Sequence, residues 1–309
     1  MSLTNLDQPL FDGADATKRH LVDYLDAIHE LMIPVLRDRP LSVIRVHRGQ
    51  EAFMQKNVPK YTPEWVPTVT AWAESSKREV TYALCNDRRT LLWFANQRAV
   101  EFHPALTTVE DPDHATHLVL DIDPPHDDDA AFGMAARAAQ LVHDVLDDVG
   151  LEGVVKTSGA KGLHVFVPLD GQASLHDQAA ATRALAVRAE ERDPALTTTA
   201  FMKEDRAGKV FMDSTRAGGA TVVAAYSPRV REGVPVSFPI DWSELEQVAP
   251  RDFTLHNAAE QLEGRPTWVE RMPAPQTLPS ELVELGHKIP IARVQAMHEG
   301  KRRRRRESK

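Results

Sequence analysis

Two carboxylates close the run His117-Leu-Val-Leu-Asp-Ile-Asp-Pro-Pro125. Side chains alternate along a strand, so Asp121 and Asp123 leave one face while Leu118, Leu120 and Ile122 leave the other. Pro124 and Pro125 cannot donate to a ladder and end the strand. Two acids side by side repel each other and call for a compensating cation. An oxygen-only pair suits Mg²⁺ or Mn²⁺ rather than zinc. A second reading makes them part of a turn and cap cluster, because Asp127, Asp128 and Asp129 follow where a helix is expected to begin.

Other residues of matching chemistry lie downstream. In Lys156-Thr-Ser-Gly-Ala-Lys-Gly-Leu-His-Val-Phe-Val167, Ser158 to Gly162 reads as a tight turn. Its backbone N–H groups, the Ser158 hydroxyl and the Lys161 ammonium make an anion cradle. His164 sits on the following strand, opposite in direction to Leu163 and Val165. A generic Gly-rich hairpin is the alternative. Lys209-Val-Phe-Met-Asp213 places a third acid at a strand end, and loops offer His103, Arg206 and Arg229. Three carboxylates with several cations form the inventory for phosphoryl or nucleotidyl transfer, in which metals bridge the attacking hydroxyl and the phosphates. Phe53-Met-Gln-Lys56, with Trp65 nearby, combines aromatic surface and cation, as a single-stranded base and its phosphate require. A surface loop anchored by core aromatics accounts for the same residues.

The elements that must position these groups follow from periodicity. Leu21, Leu25, Ile28, Met32 and Val35 predict one helix, capped by Asp15 or Thr17 and closed at Arg39-Pro40. Leu41 to His47 reads as a strand, and residues 49–67 as irregular. Val80–Cys85 and Thr90–Phe94 around Asn86-Asp-Arg-Arg89 read as a hairpin, followed by a short helix from Ala95 to Val100 and a loop at Glu101–Pro104. A helix is expected from Asp129 to Val149 and an Ala-rich one over 174–191, with strands at Val154-Val155, Leu163–Val167, Lys209–Asp213 and Thr221–Ser227. Arg216, Gly218 and Gly219 lie in the loop between the last two. Helical character resumes from Asp241 to 263, and 265–300 reads as a surface wrap. Without repeats or a clear linker, residues 1–300 read as one integrated catalytic domain.

Composition sets the bounds. A chain of 309 residues with 42% hydrophobic content can bury a substantial core. The single cysteine, Cys85, excludes disulfide frameworks and Cys-based zinc ribbons. Neither a signal peptide nor an apolar run of about 20 residues is evident, so a soluble cytosolic protein with no membrane partner is expected. The net charge is −8, but Lys301–Lys309 carries seven basic residues and one acid, which leaves −14 on the body. An acidic body does not advertise nucleic-acid binding. The Arg302–Arg306 run reads either as a phosphate-contacting tail or as a disordered solubilising one.

In combination these segments resemble the polymerase domain of bacterial DNA ligase D, within the archaeo-eukaryotic primase superfamily. The resemblance rests on Thr17-Lys18 with Arg39-Pro-Leu-Ser42; on Phe53-Met-Gln-Lys56; on Trp93-Phe-Ala-Asn-Gln97 with Glu101-Phe-His-Pro104; on Leu120-Asp-Ile-Asp-Pro-Pro125 with Thr157-Ser-Gly-Ala-Lys-Gly-Leu-His164; and on Lys209–Asp213 with Ala225-Tyr-Ser-Pro-Arg229 and Pro235-Val-Ser237. It implies an α/β (α+β) primase-like core with mixed and antiparallel sheets flanked by helices. It implies that Asp121, Asp123 and Asp213 hold two divalent ions, Mn²⁺ or Mg²⁺ with Mn²⁺ preferred. Ser158, Lys161 and His164 would contact the triphosphate, His103 the incoming NTP or dNTP, and Arg206 and Arg229 would complete the clamp. Phe53 would stack on template, and Lys18 and Lys56 would meet a downstream 5′-phosphate at gaps or double-strand-break ends. Ku and a separate DNA ligase are implied partners, in a bacterial, nucleoid-associated setting. Two departures stand out: Phe53-Met54 replaces an aromatic pair, and Arg216-Ala217 replaces Arg-Asn.

The leading expectation is a template-dependent enzyme that extends a 3′-hydroxyl at short gaps or ends, favouring ribonucleotides. A de novo primase is one alternative, although no zinc or helical module for it is evident. A non-catalytic DNA-end-binding module is another, and the intact acids and turn argue against it.

Overall fold

The computed structural model describes residues 2–291, apart from 48, 74–77 and 217–219. Gly218, Gly219 and the basic tail therefore lie outside the described residues. In chain order the first part runs α1 (Lys18–Ala27), α2 (His29–Leu36), β1 (Leu41–Arg45), β2 (Phe53–Gln55), β3 (Thr68–Ala73), β4 (Arg78–Ala83), α3 (Arg88–Asn96) and β5 (Ala99–Pro104). β1 is the hub of an antiparallel sheet. It pairs with β2, with β5, and through Leu41 alone with β4, which carries β3 on its outer side.

The second part adds β6 (His117–Asp123), α4 (Asp129–Asp148), β7 (Val154–Thr157), β8 (Leu163–Pro168), α5 (Leu175–Arg192), β9 (Thr197–Thr198), β10 (Val210–Asp213), β11 (Pro239–Ile240), α6 (Ala258–Gln261), α7 (Trp268–Arg271) and α8 (Ser280–Lys288). The strands form a sheet in the order β11-β7-β8-β6-β10-β9, antiparallel except for β9 beside β10. Leu118, Leu120 and Ile122 are at most 1% exposed and anchor β6 in the core. Burial of each such side chain is worth about 1.5–3 kcal/mol. The mixed α/β architecture agrees with the expectation. Among the described residues, no helix is long and apolar enough to cross a membrane.

Four sequence expectations need correction. The first helix is two, broken at Ile28, although its buried stripe Leu21, Leu25, Ile28 and Met32 continues across the break. Thr90–Phe94 is not a strand but the body of α3, because Asp87 caps it by accepting from the Thr90 N–H at 2.8 Å. Helix α3 ends at Asn96, where Arg98 takes a left-handed φ of 60°, and Glu101–Pro104 is then strand rather than loop. Thr221–Ser227 forms no ladder. It runs beside β5, to which Val222 and Ala224 donate, and then turns at Tyr226, whose N–H donates to Ser237 in the segment leading into β11. The stretch 49–67, expected to be irregular, contains the short, mostly exposed β2, and β3 follows it with no alternating pattern strong enough to predict it.

Candidate active site

Register assembles the site. Asp121 on β6 lies directly opposite His164 on β8 and Asp213 on β10, and His164 lies opposite Lys156 on β7. Cross-strand partners share a face, so Lys156, His164, Asp121 and Asp213 form one polar row across four adjacent strands. Asp123, two residues along, leaves the same face. Asp121, Asp123 and Asp213 each bring a carboxylate oxygen within 4.8 Å of the others. The cap reading applies only to the next acids: Asp128 caps α4 by accepting from the Ala131 N–H at 2.8 Å. An all-oxygen donor set at this spacing fits hard divalent cations such as Mg²⁺ or Mn²⁺.

The row is wired by hydrogen bonds. Lys156 is fully buried, and its Nζ lies 2.9 Å from His164 Nδ1 and 2.6 Å from Ser237 Oγ. Ser237 Oγ in turn donates to the Thr157 carbonyl. Burial, then Arg229, pushes the Lys156 pKa well down; with Nδ1 accepting from its Nζ, the imidazole presents Nε2–H to Asp121 Oδ1 at 3.4 Å. Burial, reinforced by Lys156, lowers the His164 pKa to about 4. The ring is therefore neutral near pH 7, and it supports Asp121 by N–H donation rather than by full positive charge. Burial would raise the Asp121 carboxyl, but His164 and Arg216 outweigh it and hold it well below the usual range. Asp123 goes the other way: burial, then repulsion from Asp121, raises it to about 6.

Cations ring the acids. Arg216 Nε stands 3.2 Å from Asp121 Oδ2 and 3.7 Å from Asp213 Oδ2. Lys161 donates to the Pro124 carbonyl at 2.6 Å with Asp123 at 3.9 Å. Ser158 is a turn-former first: its Oγ accepts from the N–H groups of Ala160 and Gly162, both at 3.1 Å. Those two amides are thus committed and not free for an anion, which narrows the expected cradle.

A second network backs the turn. Arg229 donates to the Ser158 carbonyl and places Nε 3.1 Å from Glu101 Oε2. That Nε–H is not aligned for a hydrogen bond, so the contact with Glu101 is coulombic. Glu101 also pairs with His103 Nε2 at 2.8 Å and accepts from the Val230 N–H at 2.9 Å. Burial opposes the Glu101 carboxylate, yet His103 and Arg229 hold its pKa down to about 2. Burial lowers the His103 pKa.

The structure therefore joins Asp121, Asp123, Asp213, Lys161 and His164 directly, and ties Ser158, Arg229 and His103 together through Glu101. Arg206 stands outside this network. Its guanidinium donates to the Ala200 and Phe201 carbonyls and lies 3.6 Å over the Phe211 ring. Lys18 is buried, and its ammonium is turned inward onto the Thr4 carbonyl and Asn96 Oδ1, both at 2.6 Å. Phe53 on β2 is 38% exposed, with Met54 beside it at 46%. Phe53 stacks on His47, and Arg45 sits 5.8 Å from its ring centre. Lys56 directly follows that strand. Trp65 is partly buried, and its face is covered by Arg89 at 3.8 Å. Sequence reading missed Glu101, Lys156 and Ser237. The signal for Glu101 was its two-residue spacing from His103, which shares a face once the segment is strand.

Residues 17–268 match the family model described as LigD, primase-polymerase domain. The chain is 32% identical over 267 residues to the bifunctional non-homologous end joining protein LigD of Bacillus subtilis, covering 85% of this chain and 42% of that one. It is 33% identical over 285 residues to the multifunctional non-homologous end joining DNA repair protein LigD of Mycobacterium tuberculosis, covering 89% and 37%. The chain thus spans about two fifths of the length of these relatives. Among solved structures, the polymerase domain of M. tuberculosis ligase D in complex with DNA superposes with a TM-score of 0.78 at 30% identity, covering 94% of this chain and 99% of that one. The resemblance read from the sequence is thereby confirmed: the chain belongs to the LigD primase-polymerase domain family.

Proposed function

We propose that this protein is a DNA-repair nucleotidyltransferase that extends a primer 3′-hydroxyl at short gaps or broken ends, using NTPs in preference to dNTPs. Residues 1–300 act as one polymerase unit. The carrying observation is the convergence of Asp121, Asp123 and Asp213, with oxygens within 4.8 Å of one another, beside a cation-bearing turn. Asp121, Asp123 and Asp213 would hold two divalent ions, Mn²⁺ or Mg²⁺, which supply Lewis acidity at the attacking hydroxyl and neutralise phosphate charge. His164 keeps Asp121 oriented and ionised. Lys161, beside Asp123, supplies positive charge to the triphosphate, and Arg229 fixes the turn that carries it. Glu101 holds His103 in place to meet the incoming nucleotide. Phe53, with Lys56 following, offers an aromatic and basic platform for template.

The relatives named for non-homologous end joining support a place in that repair process, with Ku and a separate DNA ligase as partners and the cytoplasm, at the nucleoid, as location. The test is primer extension on a 5′-phosphorylated gapped duplex, comparing NTPs with dNTPs and Mn²⁺ with Mg²⁺. Asp121→Ala combined with Asp123→Ala should abolish extension while circular dichroism stays native. Extension retained by that variant overturns the mechanism. Synthesis on unprimed single strands would move the reading to a primase.

A further inference from the structure

Away from the acidic triad, three other ligand-bearing side chains meet where the first turn of α5 passes the last turn of α8. His176, Asp177 and His287 each bring one ligand atom within 4.8 Å of the others. His287 Nε2 lies 2.7 Å from Asp177 Oδ1. The rings of His176 and His287 lie side by side, with centroids 4.7 Å apart and planes tilted by 33°. Asp177 is already oriented: its other oxygen accepts the Ser174 hydroxyl at 2.7 Å, which leaves Oδ1 for the imidazoles.

The frame beneath these residues is tight. A Cβ at Gly286 would stand 1.8 Å from the Ala180 carbonyl oxygen, so the two helices touch backbone to backbone at that point. Arg183 also donates to the Gly286 carbonyl at 3.2 Å. The three ligands are thus held in register by packing that does not depend on them.

We propose that His176, Asp177 and His287 bind a divalent ion of the zinc class, with water completing its shell, and that this ion staples α8 to α5. Two imidazole nitrogens and one carboxylate suit Zn²⁺ and its borderline neighbours, whereas the all-oxygen triad suits Mg²⁺ or Mn²⁺. The protein therefore sorts two kinds of cation between two sites. A tetrahedral ion with bonds of about 2.0 Å sets its ligands roughly 3.3 Å apart, so the His287–Asp177 pair must open slightly. Exposed side chains can do so by rotation.

The experiment is calorimetric titration of the intact protein with Zn²⁺ in millimolar Mg²⁺, which fills the oxygen site. Co²⁺ serves as a spectroscopic substitute, and thermal unfolding is followed in parallel. One Zn²⁺ per chain, visible cobalt bands of histidine ligation and a rise of several degrees in Tm are expected. Loss of an outer-shell partner alone costs about 10–100-fold in metal affinity, so His176→Ala and His287→Ala should each cost at least that. Asp121→Ala should bind Zn²⁺ as the parent does, which separates this site from the triad. The proposal is overturned if the parent binds no Zn²⁺ under these conditions, or if both histidine variants keep its affinity and cobalt spectrum.

Discussion

Asp123 carries the tension in the site. Its carboxyl is raised from the ordinary 3.8 to about 6 by burial and by Asp121. A carboxyl whose folded pKa lies above its unfolded one costs stability above the folded value, and the cost fades as pH falls toward the unfolded value. Asp123→Asn should therefore stabilise the metal-free protein at pH 7, by about 1 kcal/mol once partial solvent exposure is allowed for. The gain should shrink as pH falls from about 6 toward 4. The same variant should lose extension activity by several orders of magnitude. Denaturant unfolding in a chelator at pH 5 and pH 7 checks the first claim, and a gain that does not change with pH would count against it. Glu101 is the opposite case, a buried acid satisfied on every side by His103, Arg229 and the Val230 N–H. Glu101→Ala removes the ion-pair partner of the largely covered Arg229 guanidinium, which keeps only the Ser158 carbonyl, so a loss of about 3 kcal/mol is expected, the low end for a broken buried pair. Glu101→Gln should lose less stability yet raise KM for nucleotide, because His103 loses its anchor. An unchanged KM would remove Glu101 from the site.

At the scale of elements, the β6–β8 pair makes the site. The turn between β7 and β8 returns so closely that a Cβ on Gly162 would stand 2.1 Å from the Ile122 carbonyl oxygen. Gly162→Ala must push β8 away from β6, moving His164 relative to Asp121. A stability loss of about 1–3 kcal/mol is expected, with a fall in kcat larger than the loss of folded protein explains. A variant with normal kcat per folded molecule would show that the register tolerates the shift. These elements were legible in the sequence because strand alternation, a Pro-Pro stop and a Gly-bearing turn are local signals. The Glu101–His103 segment was not, because Arg98 leaves the helix in a left-handed conformation that no side-chain pattern announces. The segment at 221–227 was also hidden. Its apolar residues look like a strand, but their backbone partners, β5 and the segment before β11, are distant in sequence and depend on the tertiary fold. Lys18 shows the same limit at a single position: a lysine at a helix start reads as exposed, yet its ammonium is turned inward onto Thr4 and Asn96.

For the whole molecule, the proposed function would divide the work of holding DNA between charge and aromatic surface. The body carries −14 and the last nine residues +6. Phosphate contacts made by cations release counterions, and each adds about 0.9 to the slope of log affinity against log salt on duplex DNA. Base stacking on an aromatic face contributes about 1–3 kcal/mol per base and involves no such release. Two variants therefore separate the terms. Removal of residues 301–309 should lower the salt slope on a 5′-phosphorylated gapped duplex by at least about 2, while kcat at saturating DNA stays constant, because the catalytic row is built elsewhere. Phe53→Ala should weaken binding by about 1–3 kcal/mol at every salt concentration and leave the slope intact. Fluorescence anisotropy across a salt series reads both quantities. Parallel lines displaced in affinity for Phe53→Ala, with a shallower line for the truncated chain, assign template grip to the exposed β2 platform and long-range attraction to the tail. If the truncated chain keeps the full slope, the phosphate contacts belong to the body. Lys56, beside the Phe53 platform, would then be the first position to neutralise.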